Sequence, residues 1–335
     1  MKQKIIFFLI FAVIVSACTA VTTKKTTIDI RIGIDGLSLE FLKNTPPQKV
    51  FEEDVFPAII RVKNKGAYSI KGNDVAVLSL GVEKDYTKKV NLLKEGKVMQ
   101  EGAGSSAIFN LNGKSQLNPN GEEEIISYNI EAGKIDPQSE AHPSTITATL
   151  CYPYETVLES TICVDTDINN LRPGKKICSS QDLIFNSGQG APVAITKIEP
   201  LMLPLQLSDS PVTDKIKPQF LIYIENKGPG VVIKRESVKD FCTKSDTTHE
   251  DFNIVYIDAF LSNKPLKCQL EKKKGSNENE IRHIKLKDKK DIIRCALEEG
   301  IQRTDDAYLS TLKIELSYGY TQSISASYFI QKPVS

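Results

Sequence analysis

The chain has 335 residues, and its 43 basic and 42 acidic residues give a formal net charge of +1. This balance lacks the clustered basic footprint of proteins that bind nucleic acid, so no nucleic-acid partner is expected. Hydrophobic residues make up 40% of the chain and charged residues 25%, as in ordinary globular proteins. The length exceeds what a single hydrophobic core usually holds, so two domains are expected.

The first eighteen residues have the layout of a secretory signal peptide. Lys2 and Lys4 precede an apolar run at residues 5–15, and small residues follow as far as Cys18. A basic start, a short apolar stretch and small residues at a cleavage point are typical of such a leader. We therefore predict a signal peptide at residues 1–17 and a tether at residues 18–27. The alternative is an uncleaved N-terminal anchor, although the run is shorter than the about 20 residues that span a bilayer.

The last residues of this leader, Val15-Ser16-Ala17-Cys18, resemble the lipoprotein box of prokaryotes, with Val in place of the usual leading Leu. In proteins that carry this box, the cysteine becomes the lipidated N-terminus after cleavage. The resemblance implies lipidation at Cys18 and a membrane-anchored protein of the extracytoplasmic cell envelope. Ordinary cleavage after Ala17 or Ala20 is the alternative, and it would release a soluble chain.

Two segments recur in the same order at nearly one spacing. Residues 58–66 match residues 220–228 at an offset of 162, and both end in Asn-Lys-Gly. Residues 147–154 match residues 313–320 at an offset of 166, and both end in Tyr-x-Tyr. Each segment alternates apolar and polar residues in the same phase as its partner, which is typical of strands with one buried face. Internal similarity of this kind predicts two homologous modules in tandem.

Other runs with strand-like alternation lie between turn signals. They are residues 28–42, 74–82, 122–130 and 159–165 in the first half, and residues 193–203, 253–261, 280–286, 291–297 and 322–330 in the second. The sequence shows no sustained helical period, and short helical turns are expected only at residues 92–98 and 234–241.

Antiparallel strands of this length indicate a sandwich. The expected fold class is all-β, with two tandem immunoglobulin-like antiparallel β-sandwiches after the signal peptide. We place the first sandwich at residues 28–166 and the second at residues 177–335. The turn-rich residues 167–176 form the predicted linker between them.

The start of each half resembles CARDB-like immunoglobulin-fold modules. The resemblance rests on an opening strand at residues 28–42, then residues 50–54, then a strand that closes on Asn64-Lys65-Gly66. In that family a strand ends in Asn-x-Gly before the next one begins, and modules occur in tandem on prokaryotic cell-surface proteins, archaeal ones especially. The first half lacks the buried Trp and the Tyr-x-Cys of true immunoglobulin domains. The resemblance implies a fold and a location, and it carries over no catalytic residue.

If Cys18 is lipidated, an even number of cysteines is left, which suggests disulfides in an exported chain. These candidates are Cys151, Cys163, Cys178, Cys242, Cys268 and Cys295. Two precede the predicted linker and four follow it, so pairing within each module is expected. Free buried thiols are the alternative.

A hairpin of residues 147–154 and 159–165 would place Cys151 and Cys163 on one face, within reach of each other. Cys151–Cys163 is therefore the leading expectation, and Cys163–Cys178 is its main rival. Cys178, Cys242, Cys268 and Cys295 could form two pairs in three ways.

No catalytic or metal-binding constellation stands out. The closest cysteines are separated by eleven and fourteen residues, unlike the short spacing of zinc ligands. His142, His249 and His283 stand apart from other candidate ligands, and no nucleophile elbow, Walker loop or dinucleotide fingerprint occurs. The sequence therefore predicts no metal, no cofactor and no enzymatic activity.

Three further patterns have both a structural and a functional interpretation. The acidic runs at residues 52–54, 122–124 and 298–299 suit exposed strand ends, or paired carboxylates that act as acid and base or bind calcium. The basic residues 282–290 suit a protected edge strand, or contact with anionic glycans or lipids. The pairs Tyr152/Tyr154 and Tyr318/Tyr320 suit a core strand, or an aromatic platform for carbohydrate. The structural interpretation is favoured in each case.

The leading hypothesis is an exported, membrane-tethered, non-enzymatic surface protein that acts as an adhesion, binding or envelope-assembly module. Its partners would be the membrane, through the N-terminal lipid or anchor, and other envelope proteins or glycans. Loops would carry specificity; the candidates are residues 66–74, 83–115, 136–143 and 271–278. The alternative is an exported carbohydrate-binding protein or hydrolase whose site is assembled from distant loops.

Overall fold

The computed structural model describes residues 29–93, 98–101, 106–205, 214–243, 248–269, 283–303 and 306–333. The predicted signal peptide and tether, with Cys18, lie outside these residues, as does the candidate loop at residues 271–278. Among the helices of the described residues, none combines the length and the apolar character that crossing a membrane requires.

The first half contributes nine strands in its described residues. They are β1 (Leu37–Phe41), β2 (Lys49–Phe51), β3 (Val55–Asn64), β4 (Ala76–Gly81), β5 (Thr87–Leu93), β6 (Met99–Glu101), β7 (Ser106–Phe109), β8 (Glu123–Ala132) and β9 (Ala141–Val164). A single 3-10 turn, Lys84–Tyr86, precedes β5.

The second half contributes eleven strands in its described residues. They are β10 (Leu183–Ile184), β11 (Val193–Pro204), β12 (Lys215–Asn226), β13 (Val231–Ile233), β14 (Ile254–Leu261), β15 (Lys264–Pro265), β16 (Lys267–Cys268), β17 (Ile284–Lys285), β18 (Lys290–Ala296), β19 (Ile301–Gln302) and β20 (Tyr308–Gln331). The helical elements are the 3-10 turns Arg235–Ser237 and His249–Asp251 and one short helix, α1 (Val238–Thr243).

The strands form three sheets, and the expected all-β class with antiparallel sheets is confirmed. One small sheet has the order β1-β3-β8-β5, and another follows β10-β11-β12-β18-β16. A ten-stranded sheet runs β15-β14-β20-β9-β4-β7-β6 along its main path, with β13, β17 and β2 attached. The described pairings are antiparallel except that β2 runs parallel to β20. One continuous hydrophobic core includes residues of both small sheets and of the large one.

The centre of the large sheet is the ladder between β9 and β20. These strands have 24 residues each and pair along their whole length, from Tyr308 opposite Val164 to Gln331 opposite Ala141. The predicted break within residues 147–165 is therefore wrong, and so is the break between residues 313–320 and 322–330. Residues 155–158 contain no turn former and keep the alternation of half-buried and buried positions, so the strand continues.

Because β9 and β20 pair along their whole length, each of these strands contacts residues of the other half of the sequence. Tyr328, near the end of β20, packs against Phe56 of the first half with ring centroids 5.0 Å apart. In return, the Thr156 hydroxyl of β9 donates to the carbonyl of Val193 in the second half, at 2.6 Å. The two sandwiches thus share one sheet. The division into residues 28–166, 167–176 and 177–335 stays a prediction.

Several short elements differ from the sequence-based expectations. Residues 83–115, predicted as a loop, contain β5, β6 and β7, and residues 92 and 93, the start of the helical turn predicted at residues 92–98, belong to β5. β5 buries only Leu92, and all four residues of β7 are buried, so neither strand alternates. His142, predicted in a loop, lies in β9. The short helical turn predicted at residues 234–241 is present as the 3-10 turn and α1.

Candidate functional site

The repeated Tyr-x-Tyr segments meet at the middle of the β9–β20 ladder. Tyr152 lies opposite Tyr320, and Tyr154 lies opposite Tyr318. All four side chains are fully buried, which confirms the structural interpretation of these tyrosines. Burial raises the pKa of each hydroxyl, and for Tyr320 it raises the pKa to about 12. The hydroxyls are therefore neutral donors and acceptors at physiological pH.

The hydroxyl of the first tyrosine of each pair, Tyr152 or Tyr318, accepts a hydrogen bond from a backbone N–H at the start of a strand. The backbone N–H of Leu37 donates to the Tyr152 hydroxyl at 3.2 Å, and that of Val193 donates to the Tyr318 hydroxyl at 3.2 Å. In this way the first residues of β1 and β11 are fixed to the large sheet by the same bond.

The second tyrosine of each pair binds the Asn-Lys-Gly turn. Tyr154 donates to the Asn64 side-chain oxygen at 3.1 Å, and Tyr320 donates to that of Asn226 at 3.2 Å. A Cβ atom on the glycine of either turn would collide with the tyrosine hydroxyl. The two halves therefore repeat their chemistry as well as their sequence.

The repeat is broken beside β1, where an open groove separates this edge strand from β20. The groove has a volume of about 670 Å³. Tyr152 and Tyr320 line its base, Leu37 and Leu39 line the β1 side, and Ile324 lines the β20 side. We call it the β1–β20 groove.

The far end of the groove is formed by the second half of the chain. Val231 of β13, Phe241 of α1 and Phe252 line it there, and Val231 is 41% exposed. Because an exposed patch of apolar side chains is a common mark of binding surfaces, the groove is the candidate site.

A cluster of charged and polar side chains around Arg235, in the 3-10 turn that precedes α1, joins the two halves. Arg235 donates to the Asp74 carboxylate at 2.7 Å and to the Tyr68 hydroxyl at 3.0 Å, and it pairs with Glu155 at 3.1 Å. It also donates to the backbone oxygen of Tyr154 at 3.1 Å. One guanidinium of the second half therefore holds three side chains of the first half. Nothing in the sequence pattern singled out Arg235.

The cysteines form three disulfides in the described residues: Cys151–Cys242, Cys163–Cys178 and Cys268–Cys295. The leading pairing, Cys151–Cys163, is wrong. Both cysteines do lie on the outward face, but they are twelve residues apart on one continuous strand, about 40 Å at 3.3 Å per residue. The rival pairing Cys163–Cys178 is present.

The expected pairing within each module is also wrong for two of these bridges, Cys151–Cys242 and Cys163–Cys178. Cys242 of α1 reaches back to Cys151 of β9, so this disulfide joins the two halves. Around it, Val77, Ile108, Ile233 and Val238 form a second, smaller core on the outer face of the large sheet.

Residues of the acidic and basic runs form hydrogen bonds and ion pairs with residues of neighbouring segments. Glu122 accepts from the backbone and side chain of Asn112, Glu53 pairs with Lys88, and Glu298 pairs with Lys217 at 2.8 Å. Lys290 pairs with Glu225 at 3.2 Å. His142 lies 3.1 Å from Glu83 and stacks on Tyr86. Within the described residues, no three potential ligands are grouped to hold a metal ion.

Of the candidate loops, residues 66–74 do not line the groove, and Tyr68 and Asp74 serve the Arg235 contacts instead. Residues 141–143 of the loop predicted at residues 136–143 are part of β9. The groove is lined mainly by strand residues, which loop-based reasoning does not select. Its sequence signals are the edge strand β1 and the alternating serines at residues 323–327, and neither identifies a groove before the arrangement of the strands is known.

No protein-family model and no curated protein matches the sequence. Two solved structures are similar in part. One, described as "Enterococcal surface protein, partial N-terminal region", has 9% identity and a TM-score of 0.20, covering 84% of this chain and 90% of its own. The other, "BspA_C_WT", has 8% identity and a TM-score of 0.20, covering 90% of this chain and 97% of its own. At this similarity neither one supports a function for this chain.

Proposed function

We propose that this protein is an exported, membrane-tethered, non-enzymatic surface protein that binds a partner through the β1–β20 groove. Its role would be adhesion, ligand binding or assembly of the envelope, on CARDB-like modules. The observation that carries the proposal is the groove itself: a cavity of about 670 Å³ lined by Leu39, Ile324, Val231 and Phe241. A partner that covers these side chains would remove apolar surface from water, which favours association.

Export is supported by the disulfides and by the leader-like N-terminus. Six cysteines of the described residues form three bridges, and disulfides persist mainly in oxidising, extracytoplasmic compartments. Tethering is proposed from the lipoprotein-like box that ends at Cys18.

Intact mass of the protein from the native membrane fraction tests export and tethering. We expect a chain that starts at Cys18 with added lipid mass and shows six further thiols only after reduction. A Cys18→Ser variant is the control and should lose the lipid mass and leave the membrane fraction. A chain that retains Met1, or one that reacts with alkylating agent before reduction, would contradict the proposal.

Binding of the soluble mature chain to envelope preparations and to a glycan array tests the role of the groove. We expect saturable binding that Ile324→Arg abolishes, because the arginine places a charge on the apolar wall. Ile184→Arg is the matched control, since Ile184 is a 67% exposed isoleucine outside the groove. Binding that survives Ile324→Arg, or turnover of a glycan substrate, would favour the carbohydrate-active alternative or another surface.

A further inference from the structure

In the second half, the outward-facing backbone groups along the edge of β11 have hydrogen-bond partners. Ile195 directs its N–H and C=O away from β12, and the Gln189 side-chain amide binds both, at 2.9 and 3.1 Å. Gln189 is only 4% exposed. The next stretch of the same edge is covered by β10, where Leu183 pairs with Ile198 and the Phe185 N–H donates to Thr196.

The equivalent edge of β1 in the first half has no such cover among the described residues. Leu37 corresponds to Val193, because each lies opposite the asparagine of its Asn-Lys-Gly turn and each donates to a ladder tyrosine. The carbonyl of Leu37 accepts from Gln322, as that of Val193 accepts from Thr156. The correspondence therefore holds for both backbone groups of this residue.

Beyond Leu37 the two edges differ. Leu42 bonds to Ile59 of β3 through its backbone, so alternation along β1 directs the N–H and C=O of Leu39 and Phe41 away from β3. Leu39 lines the groove, and Phe41 lies two residues beyond it on the same open edge. In the part of the chain that the structure describes, these groups have no hydrogen-bond partner. Leu39 occupies the place of Ile195, and nothing there corresponds to Gln189.

The opposite wall of the groove, at residues 322–324, is the start of a second open edge. On this side of β20, β13 pairs as far as Thr321 and β2 pairs from Phe329 onward. Phe329 donates toward β2, so Ser323, Ser325 and Ser327, which share its phase, direct their backbone groups to the same side. The seven residues between, 322–328, leave room for about 23 Å of strand at 3.3 Å per residue.

We propose that the groove binds an extended polypeptide segment of a partner protein, which adds as a strand to the edge of β1 at Leu39 and Phe41. This inference rests on the proposed function and names its ligand class. The backbone of the segment takes the place that Gln189 and β10 take in the second half. Its alternate side chains enter the groove between Leu39 and Ile324, as Leu183 and Phe185 pack against the core beside β11.

The chemistry of the groove favours a peptide over a sugar or a phosphate ligand. N–H and C=O groups that repeat at every second residue of an edge match another strand, whereas a glycan has no such regular pattern. Leu37, Leu39, Val231 and Ile324 make the walls apolar, and Asp35 is the one carboxylate in the described lining. No lysine or arginine lines the groove within the described residues, so an anionic ligand would find no counter-charge there.

The test uses a displayed library of random linear 12-residue peptides and the disulfide-bonded mature chain from Thr19 to Ser335. Peptides selected on this chain are then measured on Leu39→Ala and Leu39→Pro. Both variants lose the same apolar side chain, and only proline also removes the N–H. We expect at least tenfold weaker binding to Leu39→Pro than to Leu39→Ala.

Two measurements keep the result independent of how well the variants fold. Amide exchange at Leu39 and Phe41 should slow at least tenfold when a selected peptide binds, while exchange at Ile195, whose N–H is already bonded, should not change. N-methylation of the peptide at alternate residues should abolish binding for one phase and leave the other unaffected.

Equal binding to Leu39→Ala and Leu39→Pro with unchanged exchange would overturn the inference. So would displacement of the peptides by a synthetic peptide of residues 19–28, because the occupant would then be the chain's own tether. Envelope or glycan binding that Ile324→Arg abolishes, with no peptide selected, would overturn the inference and leave the proposed function standing. Absence of any groove-dependent binding would contradict both.

Discussion

Pro153 and Gly319 lie directly opposite each other in the β9–β20 ladder, and they are also equivalent residues of the sequence repeat, 166 positions apart. In an antiparallel ladder only one pair of positions can be both equivalent and paired, so an approximate two-fold axis passes between them. The symmetry does not extend to the side chains of these two residues, because Gly319 has none. A Cβ at Gly319 would lie 2.7 Å from the Val238 side chain and 2.9 Å from the Lys234 carbonyl.

Gly319→Ala should therefore destabilise the protein by about 1–3 kcal/mol, because the added methyl group pushes α1 and the preceding turn off the sheet. Denaturant unfolding followed by circular dichroism measures the effect. Gly81→Ala is the control, since its Cβ would meet nothing nearer than 3.6 Å. Equal stabilities of the two variants would contradict the close approach at Gly319.

The buried tyrosines predict a loss of stability in alkali. Desolvation raises the pKa of Tyr320 from 10.0 to about 12 in the folded chain. The folded state thus holds this proton more tightly than the unfolded state, and the contribution is complete below pH 10. It falls by about 1.4 kcal/mol per pH unit for each such group as the pH rises toward the folded pKa.

Unfolding free energies at pH 8 to 12, with tyrosinate absorbance recorded in parallel, check this prediction. Tyr320→Phe should flatten the dependence, at the expense of the bond to Asn226. Ionisation of all eleven tyrosines near pH 10 without loss of structure would show that the four ladder hydroxyls are not desolvated.

Removal of the disulfide that closes the longer loop should cost more stability than removal of the one that closes the shorter loop. Cys151–Cys242 closes a loop of 91 residues and Cys163–Cys178 one of 15. The chain-entropy model assigns about 1.6 kcal/mol more to the longer loop. The paired serine variants Cys151→Ser/Cys242→Ser and Cys163→Ser/Cys178→Ser allow the comparison by denaturant unfolding. A larger loss for the local bridge would mean that strain or residual structure outweighs loop entropy.

Arg235→Lys should destabilise the contact between the halves by about 2–4 kcal/mol, because an ammonium group cannot reach Asp74, Glu155 and the Tyr154 carbonyl together and leaves them partly unpaired. Arg61→Lys, which alters an exposed pair with Glu40 at 3.0 Å, should cost less than about 0.5 kcal/mol. Thermal unfolding of both variants gives the ranking, and the reverse order would rule out this role of Arg235.

Gln189→Ala should lower the free energy of unfolding by about 2–4 kcal/mol, since the buried N–H and C=O of Ile195 lose their partners. Gln181→Ala, at an exposed position of the same segment, is the control and should be near neutral. Amide exchange at Ile195 should accelerate only in the first variant. Unchanged exchange there would show that another group completes this edge.

Periodicity predicted the strand faces well, because burial of alternate residues is decided locally. The phase of Tyr152, Tyr154, Tyr318 and Tyr320 and the outward direction of Cys151 followed from it. It could not predict that β9 continues through residues 155–158, because continuity depends on a partner strand 144 or more residues away.

The disulfide pairing and the groove could not be predicted from the sequence for a related reason. Cys242 meets Cys151 only after α1 folds back over the outer face, and no spacing rule encodes that path. Leu39 and Gln322 are unremarkable residues of two distant strands. They lie on one groove because the open edge of β1 is uncovered in the described residues, whereas Gln189 and β10 cover the equivalent edge of β11. The two halves differ in this cover although their strands repeat.

The shared ladder also sets the order in which the molecule can be completed. β9 is synthesised long before β20, and Ala141 finds its partner only at Gln331, 190 residues further along the chain. Until then a strand of 24 residues keeps an open edge of the kind that promotes aggregation. We expect a chain ended at residue 176 to aggregate, and the full chain to fold late and in one cooperative step, with the slow kinetics of long-range pairing.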